Sequence, residues 1–269
     1  MSFQRSLRKL LWRIGYDVRR VERGTSELSI LARQCAAHSI DCVFDVGAHT
    51  GQFARRLREA GFVGRIVSFE PSTDAHEILC QRAKRDTNWA IAPRMALGDR
   101  DGVITLNLAG NGASSSVLPM LTSHVNADPG SSYVGWEPTE LHRLDSVFRE
   151  FLGNSRSVFL KLDVQGFESK VLEGASEFLA RVAGIQLELS FLPLYEGERL
   201  FHPMLNELED MGYVMWGMSP AFSDPSTGRV LQIDAVFFRV NGDNAAQTTP
   251  LARAAEASRI PPSVARDRL

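Results

Sequence analysis

The sequence predicts a doubly wound α/β fold with a mostly parallel sheet and an antiparallel last strand. Three observations carry this. Short apolar runs alternate with segments of helical periodicity from about residue 42 onward. One run, Cys42-Val43-Phe44-Asp45-Val46, passes through Gly47-Ala48-His49-Thr50-Gly51 directly into a helical pattern, the place where such folds hold a nucleotide-like ligand. A second run, 65–69, ends in Glu70-Pro71 and so places a carboxylate where a ribose would lie.

Composition narrows the class. A chain of 269 residues that is 44% hydrophobic and 23% charged can bury a sizeable core. A net charge of −2 argues against wholesale nucleic-acid binding, which calls for a basic excess. Cys35, Cys42 and Cys80 lack CxxC spacing and read as reduced thiols, so a cytoplasmic location is expected. Leu10-Leu11-Trp12 is too short for a signal-peptide core, and no segment approaches the roughly 20 apolar residues that cross a bilayer.

Residues 1–24 form a basic amphipathic unit. Arg5, Arg8, Lys9 and Arg13 alternate with Phe3, Leu7, Leu10 and Leu11 at near-helical spacing, which suits either a solvated helix packed on the domain or peripheral membrane contact through residues 1–23. The main domain is expected over 25–241. Ser26 caps a helix running to about Cys35, and the first strand and glycine turn follow. After a helix presenting Phe53, Leu57 and Ala60 comes the strand 65–69, then a helix opened by Pro71-Ser72. A third strand is expected over 89–97, and a short one over 103–108.

Periodicity vanishes over 110–138, which reads as a substrate-covering loop whose Tyr133 and Trp136 could stack on a sugar. Helical spacing returns over 139–152 and carries His142, read as a packed or solvated residue. The run 157–163 is a buried-type strand that nonetheless contains Lys161 and ends in Asp163. A helix over 168–181, a strand over 184–190 bearing Glu188, a helix over 204–211 and a closing hairpin of 213–218 and 230–240 complete the domain. Residues 242–269 lack apolar periodicity and read as a disordered tail.

The chemistry follows from spacing. Where a dinucleotide site needs Gly-x-Gly-x-x-Gly, this chain has Gly47-x-His49-x-Gly51, which weakens an NAD-linked oxidoreductase reading. Asp45 at a strand end suits the amino group of a ligand such as S-adenosylmethionine. Gly47 and Gly51 let it approach backbone, and His49 is a turn residue able to take an unusual dihedral. Glu70 is placed to accept hydrogen bonds from ribose hydroxyls.

These stretches resemble the FkbM family of S-adenosylmethionine-dependent methyltransferases. The matches are 44–51, Phe69-Glu70-Pro71, Ala96-Leu97-Gly98-Asp99, Leu187-Glu188-Leu189 and, most specifically, Lys161-Leu162-Asp163-Val164-Gln165-Gly166-Phe167-Glu168. The resemblance implies a class I, Rossmann-like methyltransferase with a seven-stranded sheet and an O-methyltransferase acting on a sugar or natural-product hydroxyl. It further implies a cofactor site formed by Asp45, Gly47, Ala48, His49, Gly51, Glu70, Pro71, Leu97, Gly98 and Asp99. Asp163 is the expected base or metal ligand. Lys161 could hold it ionised or steer the acceptor, and Glu188 is a second carboxylate within reach, so Asp163 and Glu188 are candidates for binding Mg²⁺. The expected partner is a small-molecule or glycan acceptor. A non-catalytic adaptor docking through the basic N-terminus is the alternative from another class.

Overall fold

A computed structural model describes residues 10–13 and 26–240. The basic helix expected over 1–23 and the tail over 242–269 therefore lie almost wholly outside the described residues. The three cysteines are free thiols, and Cys35 and Cys42 are buried. Among the described residues no helix is long and apolar enough to cross a membrane.

The chain forms α1 (Glu27–Ala37), β1 (Cys42–Val46), α2 (Gln52–Glu59), β2 (Arg65–Phe69), α3 (Thr73–Ala83) and β3 (Trp89–Ile91). Then come β4 (Ala96–Leu97), β5 (Gly102–Ala109), α4 (Thr122–Ala127), β6 (Tyr133–His142), α5 (Leu144–Leu152) and β7 (Val158–Leu162). The chain finishes with α6 (Glu168–Glu173), β8 (Val182–Ser190), α7 (Phe201–Asp210), β9 (Tyr213–Ser223) and β10 (Val230–Arg239). Ser26 caps α1 as its sequence suggests, its hydroxyl accepting from Ser29 N at 3.2 Å.

Seven strands form one sheet in the order β3-β2-β1-β7-β8-β10-β9. Strands β1, β2, β3, β7 and β8 are mutually parallel, and β10 runs antiparallel to both neighbours, as expected for the last strand. Alternation along each strand divides the core between two faces. Phe44, Val46, Leu160 and Leu162 join α5, α6 and α7 in one cluster, while Val43 and Phe159 join α1, α2 and α3 in the other. Asp45 and Lys161 share the second face by the same alternation.

The second sheet is new. Strands β4, β6 and β5 pair separately. The strand expected over 89–97 is two strands in two sheets, because Pro93 supplies no backbone donor between them. The expected loop 110–138 holds α4, a 3₁₀ turn at Pro129–Ser131 and the first half of β6. The helix expected from 139 begins only at Leu144, so His142 ends a strand and sits beside Glu140 and Asp101 at 3.2 and 3.6 Å. The helix expected over 168–181 breaks at Gly174, where an added Cβ would lie 1.9 Å from the Gly98 carbonyl.

Candidate active site

The turn after β1 gathers the carboxyl ends of three strands. Gly47, His49 and Gly51 all have positive φ, at 73°, 48° and 83°. His49 takes the unusual dihedral assigned to it. Gly47 N and Ala48 N donate to Phe69 O at the end of β2, at 3.1 and 3.0 Å. A Cβ on Gly47 would come within 1.8 Å of Asp163 O, so the turn lies directly on the end of β7.

Glu70 ties the first two turns together. Its Oε2 accepts from His49 N at 2.6 Å and its Oε1 from Ser72 N at 2.9 Å. Burial pushes the Glu70 carboxyl up to about 7 against those two hydrogen bonds. Each oxygen keeps a lone pair, so the carboxylate still has capacity for a ligand hydroxyl.

Lys161 lies beneath the turn. Its ammonium is 3.2 Å from Asp45 Oδ1 and 3.4 Å from Asp163 Oδ2, and it donates to Gly47 O at 3.0 Å. Burial acts against its charge, but Asp45 and Asp163 together hold its pKa above the ordinary lysine range. Its ion pairs are with these two aspartates and not with Glu168 or Glu188. Glu168 instead accepts from Val164 N at 2.9 Å at the start of α6.

The amide of Gln165 joins the two candidate catalytic carboxylates. Its Nε2 donates to Asp163 Oδ1 at 2.9 Å and to Glu188 Oε2 at 2.8 Å. Its Oε1 accepts from the Tyr195 hydroxyl at 2.6 Å, which fixes which way the amide faces. Tyr195 Oη also lies 3.2 Å from His124 Nε2 and 3.2 Å from Ser114 O. Ser116 Oγ donates to Gln165 O at 2.7 Å, so part of the loop expected to cover the substrate is bonded to the site floor. Gln232 Nε2 donates to Glu188 Oε2 at 3.0 Å. Burial, then the nearby Asp163, Glu168 and Asp234, drives the Glu188 pKa well above the carboxylate range.

Most of these groups border one cavity of about 680 Å³. It brings together Gly47, Ala48 and His49 of the first turn, Glu70 and Pro71 of the second, and Leu97. It also takes in Lys161, Asp163 and Glu188. Four expected cofactor residues do not line it. Asp45 is fully buried, with Ser68 Oγ donating to Oδ2 at 3.2 Å on its other side. Gly51 packs against Trp89 and Leu79, Gly98 against Phe167 and Leu141, and Asp99 pairs with Lys170 and Arg100. Tyr133 and Trp136 also lie outside the lining, and Trp136 is exposed on the second sheet.

Sequence reasoning gave no role to Gln165, His124 or Tyr195. Gln165 stood within the most specific matched stretch, whereas His124 and Tyr195 carried no spacing signal.

A family model, the methyltransferase FkbM domain, matches residues 45–215, from the end of β1 into the start of β9. The chain belongs to the FkbM methyltransferase family. It is therefore an S-adenosylmethionine-dependent methyltransferase, and the oxidoreductase reading falls. A 2-O-methyltransferase, NoeI of Sinorhizobium fredii, is 27% identical over 172 residues, covering 62% of this chain and 70% of that protein. Among solved structures, the magnesium protoporphyrin IX methyltransferase of Synechocystis PCC 6803, with bound S-adenosylmethionine, aligns over 89% of this chain and 98% of its own. The identity is 12% and the TM-score 0.43. The 1,6-didemethyltoxoflavin-N1-methyltransferase of Burkholderia thailandensis aligns over 88% of each chain at 11% identity and TM-score 0.41.

The donor set for Mg²⁺ does not fit. Asp163 Oδ1 and Glu188 Oε2 both receive the Gln165 amide, and the other Asp163 oxygen faces the Lys161 ammonium. Among the described residues no group of three or more His, Cys, Asp or Glu side chains is arranged to hold a metal ion.

Proposed function

We propose that this FkbM methyltransferase methylates a sugar hydroxyl on a glycan, glycolipid or glycosylated natural product. The observation that carries the reading is the setting of Asp163. It stands at the carboxyl end of β7, against the Gly47 turn, with one oxygen anchored by Lys161 and the other by Gln165. The Sinorhizobium relative bears the name of a 2-O-methyltransferase, which supports oxygen as the methylated atom.

The residues of the first two turns suit the methyl donor. The backbone of 47–49 borders the cavity, and Glu70 has lone pairs for ribose hydroxyls. When bound, S-adenosylmethionine supplies a methyl group on a sulfonium, open to in-line attack by an oxygen. Asp163 receives the proton of the attacking hydroxyl. Lys161 and Gln165 hold that carboxylate in one orientation, so that less freedom is lost on reaching the reactive geometry. Glu188 borders the same space as a hydrogen-bond partner for the acceptor. Asp45 acts from below, through Lys161.

The test is methyl transfer from labelled S-adenosylmethionine to pooled glycans and glycolipids, with and without EDTA. An O-methylated sugar is the expected product, formed equally in chelator. Label appearing only on nitrogen or carbon atoms would overturn the reading.

A further inference from the structure

The cavity continues past the carboxylates to a second region between α1 and the last two strands. Ile30 of α1 borders it there, with Trp216 and Met218 of β9. Trp216 is 44% exposed, yet its ring is braced. His38 meets it edge-on with centroids 4.7 Å apart, and Phe238 does so at 5.3 Å. A fixed aromatic plate open to a cavity offers an apolar surface to a flat or ring-shaped ligand.

Part of the remaining wall offers polar partners. Asp234 of β10 and Glu188 of β8 border the cavity, as does Gln186, which is only 8% exposed and whose Oε1 has no hydrogen-bond donor. A buried acceptor left without a donor on a cavity wall is an opening for a ligand hydroxyl. Cations are scarce. Lys161 is committed to Asp45 and Asp163, and among the described residues the other cation on the wall is the exposed Arg56 of α2. Against them stand Glu27, Asp163 and Asp234.

We infer that this region is the acceptor subsite and takes an uncharged pyranose ring, stacked on Trp216 with its hydroxyls directed to Gln186, Glu188 and Asp234, and that it turns away sugar phosphates. A pyranose has one apolar C–H face and a periphery of hydroxyls, and this wall has a partner for each. A phosphate would meet carboxylates in a partly desolvated space, where like charges repel more strongly than in water. The inference rests on the sugar O-methylation reading above and specifies the acceptor within it.

Saturation-transfer NMR tests it on the full chain loaded with S-adenosylhomocysteine. The probes are the methyl pyranosides of glucose, galactose and mannose and the corresponding sugar 1-phosphates. Ring C–H protons of the glycosides should receive saturation and those of the phosphates should not. Trp216→Ala should weaken glycoside binding about tenfold, as loss of one aromatic contact implies, and Trp216→Phe should restore most of it. Calorimetric titration of S-adenosylhomocysteine into Trp216→Ala should match the unsubstituted chain, which shows the variant folded. The subsite is overturned by equal glycoside binding in Trp216→Ala, by phosphates binding as well as glycosides, or by no saturation of any pyranoside. Failure of the unsubstituted chain to bind S-adenosylhomocysteine would instead sink the cofactor site, and the subsite with it.

Discussion

Asp45 of β1 and Lys161 of β7 are direct partners across adjacent parallel strands, and their side chains form a buried ion pair at 3.2 Å. Neither residue lies in the loops that usually carry chemistry. Both sit on a face of the sheet that should be apolar, and together they underlie the turn that borders the cavity.

Removing one member of that pair exposes its worth. Lys161→Met leaves Asp45 with no cation in a fully buried position and should cost about 3–5 kcal/mol in urea denaturation. Pairing it with Asp45→Asn should recover at least half of that loss. A single variant as stable as the parent would show that the pair does not support the fold.

The turn itself tolerates no side chain at Gly47. Gly47→Ala would place a Cβ within 1.8 Å of Asp163 O at a φ of 73°. Overpacking of this kind should lower the melting temperature by about 5–10 °C. It should also weaken S-adenosylhomocysteine binding at least tenfold, because the displaced backbone borders the cavity. Thermal scanning and calorimetry on one preparation read both effects.

Glu70 should make cofactor binding pH-dependent. Its carboxyl is raised from 4.5 to about 7 by burial, so the native state holds a proton that the unfolded chain has lost. The Glu70 contribution to stability is therefore full below pH 4.5 and declines as pH rises toward 7. Ribose hydroxyls donate best to the ionised form, so affinity for S-adenosylhomocysteine should move the opposite way, rising through pH 7 and levelling above it. Glu70→Gln should flatten that dependence. A titration series from pH 5.5 to 8.5 with no slope in the parent would exclude a Glu70 to ribose contact.

Asp163→Asn keeps the shape of the site and removes its proton acceptor. Methyl transfer should fall about 10²–10⁴-fold, with S-adenosylhomocysteine affinity within about threefold of the parent. Gln165→Leu should give a smaller loss of transfer and a shifted pH profile, since it frees Asp163 and Glu188 from their shared amide without removing either. If both variants turn over at the parental rate, the proton goes elsewhere.

The residues of the first turn were legible because glycine and histidine at positive φ are local requirements, readable from residue type and spacing. The strand-end acids Glu70, Asp163 and Glu188 were legible for a related reason, as charges interrupting apolar runs. Gly98 and Asp99 were assigned to the cofactor from a matched stretch. Their actual neighbours, Phe167, Leu141 and Lys170, come from distant elements that one-dimensional spacing cannot locate.

By itself the sequence determined the doubly wound sheet, its antiparallel last strand and the set of strand ends that meet at the site, because apolar periodicity and turn chemistry are local. Only the tertiary structure decided which charges face the cavity. Asp45, read as a ligand contact, is the buried partner of Lys161 and does not line the cavity, since side-chain alternation turns it to the sheet face beneath the turn. Gln165 became the link between two carboxylates only when β7 and β8 were placed side by side and Tyr195 fixed its amide.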